Sequence, residues 1–104
     1  MNARMAGRLG LALRSGALAV GTEAAADAIR RQRAELVIVA GDAGRSTRAR
    51  LAELAAKARV AVRAGPGRGE MGRALGRGAV AVVVVSDPRW ARQFMEDDGG
   101  GATE

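Results

Sequence analysis

A chain of 104 residues with 48% hydrophobic content is long enough for one packed domain and too short for two. Sixteen arginines and one lysine stand against eleven acidic residues, which gives a net charge of +6, and the chain has no histidine or cysteine. This composition excludes disulfides, thiolate metal sites and histidine-based general-base catalysis, and it favours a cytoplasmic protein that binds a polyanion.

The charge is unevenly distributed along the chain. Four of the acidic residues lie in Glu96–Glu104, so residues 1–95 carry seven acidic groups against all seventeen basic ones. A GC-rich genome would explain the preference for arginine over lysine but not this excess of charge. We expect a single domain over residues 1–95 and, because three successive glycines interrupt the acids, a disordered acidic tail over residues 96–104.

The first half of the chain predicts two helices and two extended segments. Leu9 and Leu13 recur at helical spacing, and Gly16 is a typical left-handed helix stop. Gly21 is expected to turn the chain, and Thr22 to cap the second helix. The predicted elements are a helix at Ala3–Ser15, an extended piece at Ala17–Val20, a helix at Glu23–Gln32 and a buried strand at Leu36–Ala40.

The second half continues the alternation. Ser46 or Thr47 is expected to cap a third helix, and the apolar run Ala79–Ser86 lacks alternation, which is typical of a central strand covered on both faces. Alternating helices and strands predict a three-layer α/β/α sandwich with a small mixed sheet. The predicted elements are a helix to about Ala58, a strand at Val60–Ala64, a short helix at Glu70–Leu75, a strand at Ala79–Ser86 and a last helix from Pro88.

Two features could be mistaken for targeting or membrane segments. Met1–Gly21 is rich in alanine, contains arginine and lacks acids, as leader peptides do, but Arg14 interrupts its only apolar run. The longest apolar stretch, Ala79–Val85, is too short to cross a bilayer. We therefore expect the amino-terminal segment to be part of the domain and no membrane partner.

Four segments resemble, in order, those of one protein family. Leu9–Gly21 resembles the opening of small bacterial YlxQ-like proteins of the ribosomal protein L7Ae/L30e superfamily. Leu36–Asp42 resembles the second strand of that family and its exit turn, Glu70–Gly76 its short helix, and Ala79–Ser86 its last strand. The resemblance covers residues 9 to about 95 and depends on order and spacing rather than on one motif.

The resemblance implies an α/β/α sandwich that binds structured RNA, typically a kink-turn, without a cofactor or metal. In the family, Asn, Glu and Lys at the start of the second helix contact the G·A pairs, and these positions align with Glu23, Ala24 and Asp27. Gly21 and Thr22 keep the expected loop and helix start. The two carboxylates indicate another bent or internal-loop RNA, such as an rRNA segment.

The resemblance also implies which groups contact RNA. The loop around Gly21 and the loop Gly76–Gly78 should lie together, with Arg73 and Arg77 as the best candidates for phosphate contacts and Arg14 near the first loop. Any single arginine could be an ordinary surface charge. We expect a non-catalytic monomer that binds rRNA, with ribosomal proteins as further partners. The candidate RNA-binding residues are Arg14, Gly21, Thr22, Glu23, Asp27, Arg73, Arg77 and Gly78.

Three alternatives remain open. The run Gly67–Gly72 fits G-x-G-x-x-G between a strand and a helix, as in nucleotide-binding domains, although only one strand and one helix follow it. A protein-interaction module on a translation partner would use the same basic surface. Trp90 and Phe94 could stack bases, but their spacing favours core packing. An enzyme is not expected, because no carboxylate pair is singled out and no serine has a histidine partner.

Overall fold

The computed structural model describes residues 3–102, with side chains described for residues 4–96, and in this part of the chain five helices alternate with four strands. The helices are α1 (Ala3–Arg14), α2 (Thr22–Arg30), α3 (Arg45–Ala58), α4 (Arg68–Ala74) and α5 (Pro88–Ala102). The strands are β1 (Leu18–Val20), β2 (Leu36–Ala40), β3 (Ala61–Gly65) and β4 (Val82–Val85). The predicted alternation is confirmed.

The four strands form one mixed sheet in the order β1-β4-β2-β3. β4 runs antiparallel to both of its neighbours, whereas β3 is parallel to β2. Every residue of β2 and β4 is buried, as expected for central strands. β4 is shorter than the predicted strand Ala79–Ser86, because the N–H of Val80 donates to the carbonyl of Arg68 at 3.1 Å rather than to the sheet ladder.

Helices cover both faces of the sheet, so the predicted three-layer sandwich is confirmed. α2 and α3 pack together on one face, and α1, α4 and α5 pack together on the other. On the second face Phe94 is fully buried, and its ring centroid lies 6.0 Å from that of half-buried Trp90. The pair therefore anchors α5 to the core, as its spacing predicts.

Glycines, not hydroxyl side chains, occupy the N-caps of α2 and α3. The carbonyl of Gly21 accepts a hydrogen bond from the N–H of Ala25 at 2.9 Å, and Thr22 is the first helical residue rather than the cap. At α3 the cap is Gly44, so the expectation for Ser46 or Thr47 was wrong. In both helices the first hydrogen-bonded carbonyl therefore belongs to a loop glycine, and no side chain caps the helix.

α4 begins at Arg68, two residues before the predicted start. The N–H of Arg68 donates to the Asp42 carboxylate at 2.7 Å, and the N–H of Gly67 donates to Glu70 Oε1 at 3.2 Å. Two carboxylates thus satisfy N–H groups that lack partners within the helix, which extends it at its amino end. Gly76 has a φ of 72° just beyond α4 and ends it as the sequence predicts.

α5 begins at Pro88, as predicted, and Asp87 caps it. Asp87 Oδ1 accepts a hydrogen bond from the N–H of Arg89 at 2.7 Å, which lowers the pKa of Asp87. The backbone of residues 96–102 continues this helix, and residues 103–104 lie outside the described part. The disordered acidic tail expected over residues 96–104 stays a prediction. The domain boundary at residue 95 stays a prediction. Among the described residues, no helix is long and apolar enough to cross a membrane.

Candidate nucleic-acid interface

One end of the sheet gathers most of the loops. β1, β2 and β3 run in the same direction and end where β4 begins. The N–H of Gly21 donates to the carbonyl of Val82 at 2.9 Å, and that of Gly41 donates to the carbonyl of Gly65 at 3.1 Å. We call this end the loop edge: the loops after β1, β2 and β3, residues 76–81, and the first two turns of α2, α3 and α4.

Both glycine corners singled out in the sequence lie at the loop edge. Gly21 has a φ of 104° and a ψ of 158°, a backbone conformation essentially limited to glycine. Gly78 precedes Val82, the hydrogen-bond partner of Gly21, by four residues. The Gly78 carbonyl packs closely on α4: a β-carbon built on Gly72 would lie 2.0 Å from the Gly78 carbonyl oxygen. Gly72 therefore fixes the position of the Gly76–Gly78 loop.

The start of α2 presents the three aligned positions to solvent. Glu23, Ala24 and Asp27 are exposed, whereas Ala25 and Ala26 are fully buried against the sheet. This arrangement arises because alanines at helical spacing face the core and leave charged residues on the outer face. The three positions share one accessible surface beside the Gly21 corner.

Glu23 is held by an arginine from the neighbouring helix. Arg50 on α3 donates two hydrogen bonds to it, at 2.7 and 3.2 Å, in a bidentate pair. Hydrogen bonding and the positive charge of Arg50 lower the pKa of Glu23, and the same contact raises the pKa of Arg50. Sequence reasoning missed this partner because it lies 27 positions away on another helix. Glu23 thus presents a neutralised carboxylate to a ligand.

Asp27 is also paired, within its own helix. Arg31 Nε lies 3.1 Å from Asp27 Oδ2, and both side chains are more than half exposed. An exposed pair at this spacing is readily exchanged for another partner, since it stabilises a helix only weakly. Neither aligned carboxylate therefore stands unneutralised at the start of α2.

Two of the three candidate arginines lie on or beside α4, and the third lies elsewhere. Arg73 and Arg77 are exposed, and neither forms an ion pair with another described residue. Arg14 ends α1 before β1, at the opposite end of that strand from Gly21, and is not part of the first loop. Arg14 instead shares a shallow depression between α1 and α4 with Glu70 and Arg73. The structure therefore brings Arg14 to Arg73 rather than to Gly21.

Further arginines at the loop edge were not singled out in the sequence. Arg48 donates from its guanidinium to the carbonyls of Ala43 and Gly41, both at 3.2 Å, and so stiffens the loop after β2. The positions of these arginines at helix starts could have been inferred from the sequence. Their proximity at one edge could not, because it depends on the strand order. The loop edge carries six arginines (Arg45, Arg48, Arg50, Arg68, Arg73, Arg77) and four carboxylates (Glu23, Asp27, Asp42, Glu70) and is electropositive.

The glycine pattern Gly67–Gly72 has a packing role. A β-carbon on Gly67 would lie 3.4 Å from Asp42 Oδ2, so a carboxylate already occupies the start of α4, where a nucleotide phosphate would bind. Gly72 is buried against the backbone of Gly78. The pattern therefore joins a loop to a helix and does not form a phosphate cradle.

Among the described residues, the loop edge has no cluster of metal ligands and no aromatic side chain on which a base could stack. Within residues 4–96, no three acidic side chains are close enough together to hold a metal ion. The two aromatic residues, Trp90 and Phe94, lie on α5, which begins at the opposite end of the sheet. The available groups are therefore guanidinium groups, helix N–H groups and glycine-shaped backbone, which suit phosphates better than single-stranded bases.

Comparison with known proteins gives the family. The model of the ribosomal protein L7Ae/L30e/S12e/Gadd45 family matches residues 3–94, nearly the whole described chain. The chain belongs to this family. As an L7Ae/L30e/S12e/Gadd45 protein, it carries Glu23, Ala24 and Asp27 where the family resemblance implies Asn, Glu and Lys. Its membership in the YlxQ-like branch stays a prediction.

Solved structures show the same L7Ae-type fold. A protein with unknown function from Bacillus halodurans C is 29% identical, with a TM-score of 0.88 over 93% of this chain and 98% of that one. A Giardia lamblia 15.5kD RNA binding protein is 20% identical, with a TM-score of 0.77 over 92% of this chain and 82% of that one. No curated protein sequence gives a significant match.

Proposed function

We propose that this L7Ae/L30e/S12e/Gadd45 protein binds structured RNA through the loop edge, as a non-catalytic cytoplasmic protein associated with the ribosome. One observation carries the proposal: the Gly21 corner, the Gly76–Gly78 loop and the start of α2 lie at one electropositive end of the sheet. The Giardia RNA binding protein has the same fold. The absence of histidine and cysteine from the sequence agrees with a binding rather than a catalytic role.

Phosphates would be bound by backbone and guanidinium groups together. The free N–H groups at the start of α2 and the positive end of its dipole favour an anion beside Gly21. Arg73 and Arg77 make no described ion pair, so they can contact phosphates without breaking one. Binding of this kind is steeply salt-dependent, because each neutralised phosphate releases counterions.

Base recognition would differ from that of a standard kink-turn reader. Glu23 can accept hydrogen bonds from base amino groups, but it cannot donate as an asparagine can. Its bidentate contact with Arg50 fixes the carboxylate and leaves no net charge to repel the RNA backbone. We therefore propose a bent or internal-loop RNA, such as an rRNA segment, as the ligand.

The test uses two charge-matched double variants and transcribed rRNA fragments. Arg73→Ala with Arg77→Ala should weaken binding and flatten the salt slope by about two units at most. The control, Arg89→Ala with Arg92→Ala, removes the same charge from α5, away from the loop edge, and should have a much smaller effect. Equal losses in both double variants would mean that only the overall charge binds RNA and would overturn the proposed site.

A protein-interaction module is the second candidate, since the same basic surface could contact an acidic partner. The electropositive loop edge alone does not distinguish the two. If the protein is such a module, the purified protein should bind no naked rRNA fragment and only assembled ribonucleoprotein particles. That result would overturn direct RNA binding and leave the loop edge as a protein-docking surface.

A further inference from the structure

A second basic surface lies at the end of the sheet opposite the loop edge. There α2 and α3 end and β2 and β3 begin, and a shallow depression opens between the two helix ends. Its floor is apolar and its sides are basic. The residues that matter are Ile29, Leu54 and Val60 on the floor and Arg30, Lys57 and Arg59 at the sides.

The charged residues that line the depression are all basic. None of its lining residues, all of which lie in the described part of the chain, carries a carboxylate. Lys57 is 3.6 Å from Glu53, in an exposed pair that neutralises it only partly. Arg30 and Arg59 form no ion pair with any described residue. Three positive side chains outweigh the roughly half a negative charge at each of the two helix ends, so the depression favours an anionic partner.

The backbone of the depression has an unusual feature. Gln32, with a φ of 61°, and Arg59, with a φ of 60°, are the two described non-glycine residues with positive φ, and both line it. Glycine occupies the other positive-φ positions of the described chain, Gly16, Gly21 and Gly76. A side chain in the left-handed conformation is unfavourable and glycine is the usual residue there, so arginine at position 59 goes against the backbone preference.

The helix dipole explains only part of this arrangement. Basic residues near the ends of α2 and α3 are favoured by the negative end of each dipole, which accounts for Arg30 and Lys57. Arg59 is the C-cap of α3, and its backbone N–H donates to the carbonyl of Ala56 at 3.2 Å. This cap uses only the backbone, so glycine would end the helix equally well in the left-handed conformation. Capping therefore does not require the guanidinium at this position.

We propose that this depression is a second RNA contact, in which Arg30 and Arg59 bind phosphates of a segment distinct from the one at the loop edge. The inference rests on the proposed function. The molecule measures only 30 × 28 × 26 Å, so a long folded RNA that leaves the loop edge can return to the far end. The protein would then hold two parts of one RNA in a fixed relation, whereas a short hairpin would contact the loop edge alone.

The decisive variant is Arg59→Gly, because it separates folding from binding. Glycine suits the left-handed position, so the Tm should stay the same or rise. With a full-length large-subunit rRNA transcript, the salt slope should fall by about one unit, so that the loss of affinity between 50 and 200 mM salt shrinks about threefold. With the hairpin cut from the segment that the wild-type protein protects, affinity should not change.

Gln32→Gly is the matched control. It makes the same backbone change in the same depression and removes no charge, so it should leave the salt slope on both RNAs unaltered. Arg30→Ala combined with Arg59→Gly should lower the slope on the long transcript by about two units at most, again without effect on the hairpin.

Three results would overturn this inference. Arg59→Gly could weaken both RNAs equally, which would indicate a general field, or could affect neither. It could also spare both RNAs but abolish capture of purified ribosomal proteins, which would make the depression a protein contact. The proposed function fails separately, if the loss of Arg73 and Arg77 leaves the hairpin affinity unchanged. Absence of binding to any RNA would overturn both.

Discussion

Gly72→Ala and Gly69→Ala put the same methyl group on the same short helix, and the structure predicts opposite effects. At Gly72 a β-carbon would lie 2.0 Å from the Gly78 carbonyl oxygen and 2.9 Å from that of Arg77, both of which are backbone atoms. At Gly69 the nearest atom outside the helix backbone is Arg73 Nη1, at 3.8 Å, the end of a flexible side chain. Only the first substitution must displace the loop after α4.

The expected magnitude comes from the difference between the two variants. Alanine for glycine within a helix gains up to about 1 kcal/mol, and this gain is largely common to both. Overpacking typically costs about 1–3 kcal/mol, so Gly72→Ala should unfold more easily than Gly69→Ala by roughly that amount. In a domain of this size, each kcal/mol corresponds to about 4–8 °C in Tm.

Urea and thermal unfolding of the two variants measure this difference directly. Gly72→Ala should also shift the amide resonance of Gly78 and weaken RNA binding, because Arg77 moves with the loop. Gly69→Ala should do neither. Equal stability of the two variants, with an unmoved Gly78 resonance, would show that the loop does not depend on Gly72 and would refute the close packing described above.

Two further predictions concern α2. Glu23→Asn, Ala24→Glu and Asp27→Lys together restore the residues that the family resemblance implies and should create or raise affinity for a kink-turn hairpin in a gel-shift assay. A triple variant that still ignores the hairpin would show that the alignment from Gly21 is misplaced. Because the pKa of Glu23 is lowered in the folded state, its pair with Arg50 stabilises the fold at pH values above the unfolded-state pKa. This stabilisation is lost as the pH falls through the folded-state pKa. Glu23→Gln should therefore unfold with a shallower pH dependence in that acidic range, and an unchanged pH profile would show that the pair does not contribute.

The sequence predicted the fold well where hydrophobic pattern alone decides it. The valine run of β4 has no alternation, and the strand lies at the centre of the sheet, buried on both faces. Helix stops at Gly16 and Gly76 were also read correctly, because glycine at a positive φ is a local signal. These features depend on neighbours in sequence, which pattern reasoning can use.

Features that depend on distant residues could not be predicted in this way. Asp42 extends α4 from a loop 26 positions earlier, and Arg50 neutralises Glu23 from another helix. The left-handed conformation of Arg59 was equally hidden, because arginine gives no hint of a positive φ. Each of these contacts depends on the strand order that brings the loops together, and sequence patterns do not determine that order.

The placement of β4 has a consequence for how the protein is made. β1 pairs only with β4 among the described strands, and Leu18 lies opposite Val85, far along the chain. A nascent polypeptide that stops short of residue 82 has no partner for its first strand and leaves one side of β2 uncovered. The native sheet can therefore form only after nearly all of the domain has been synthesised.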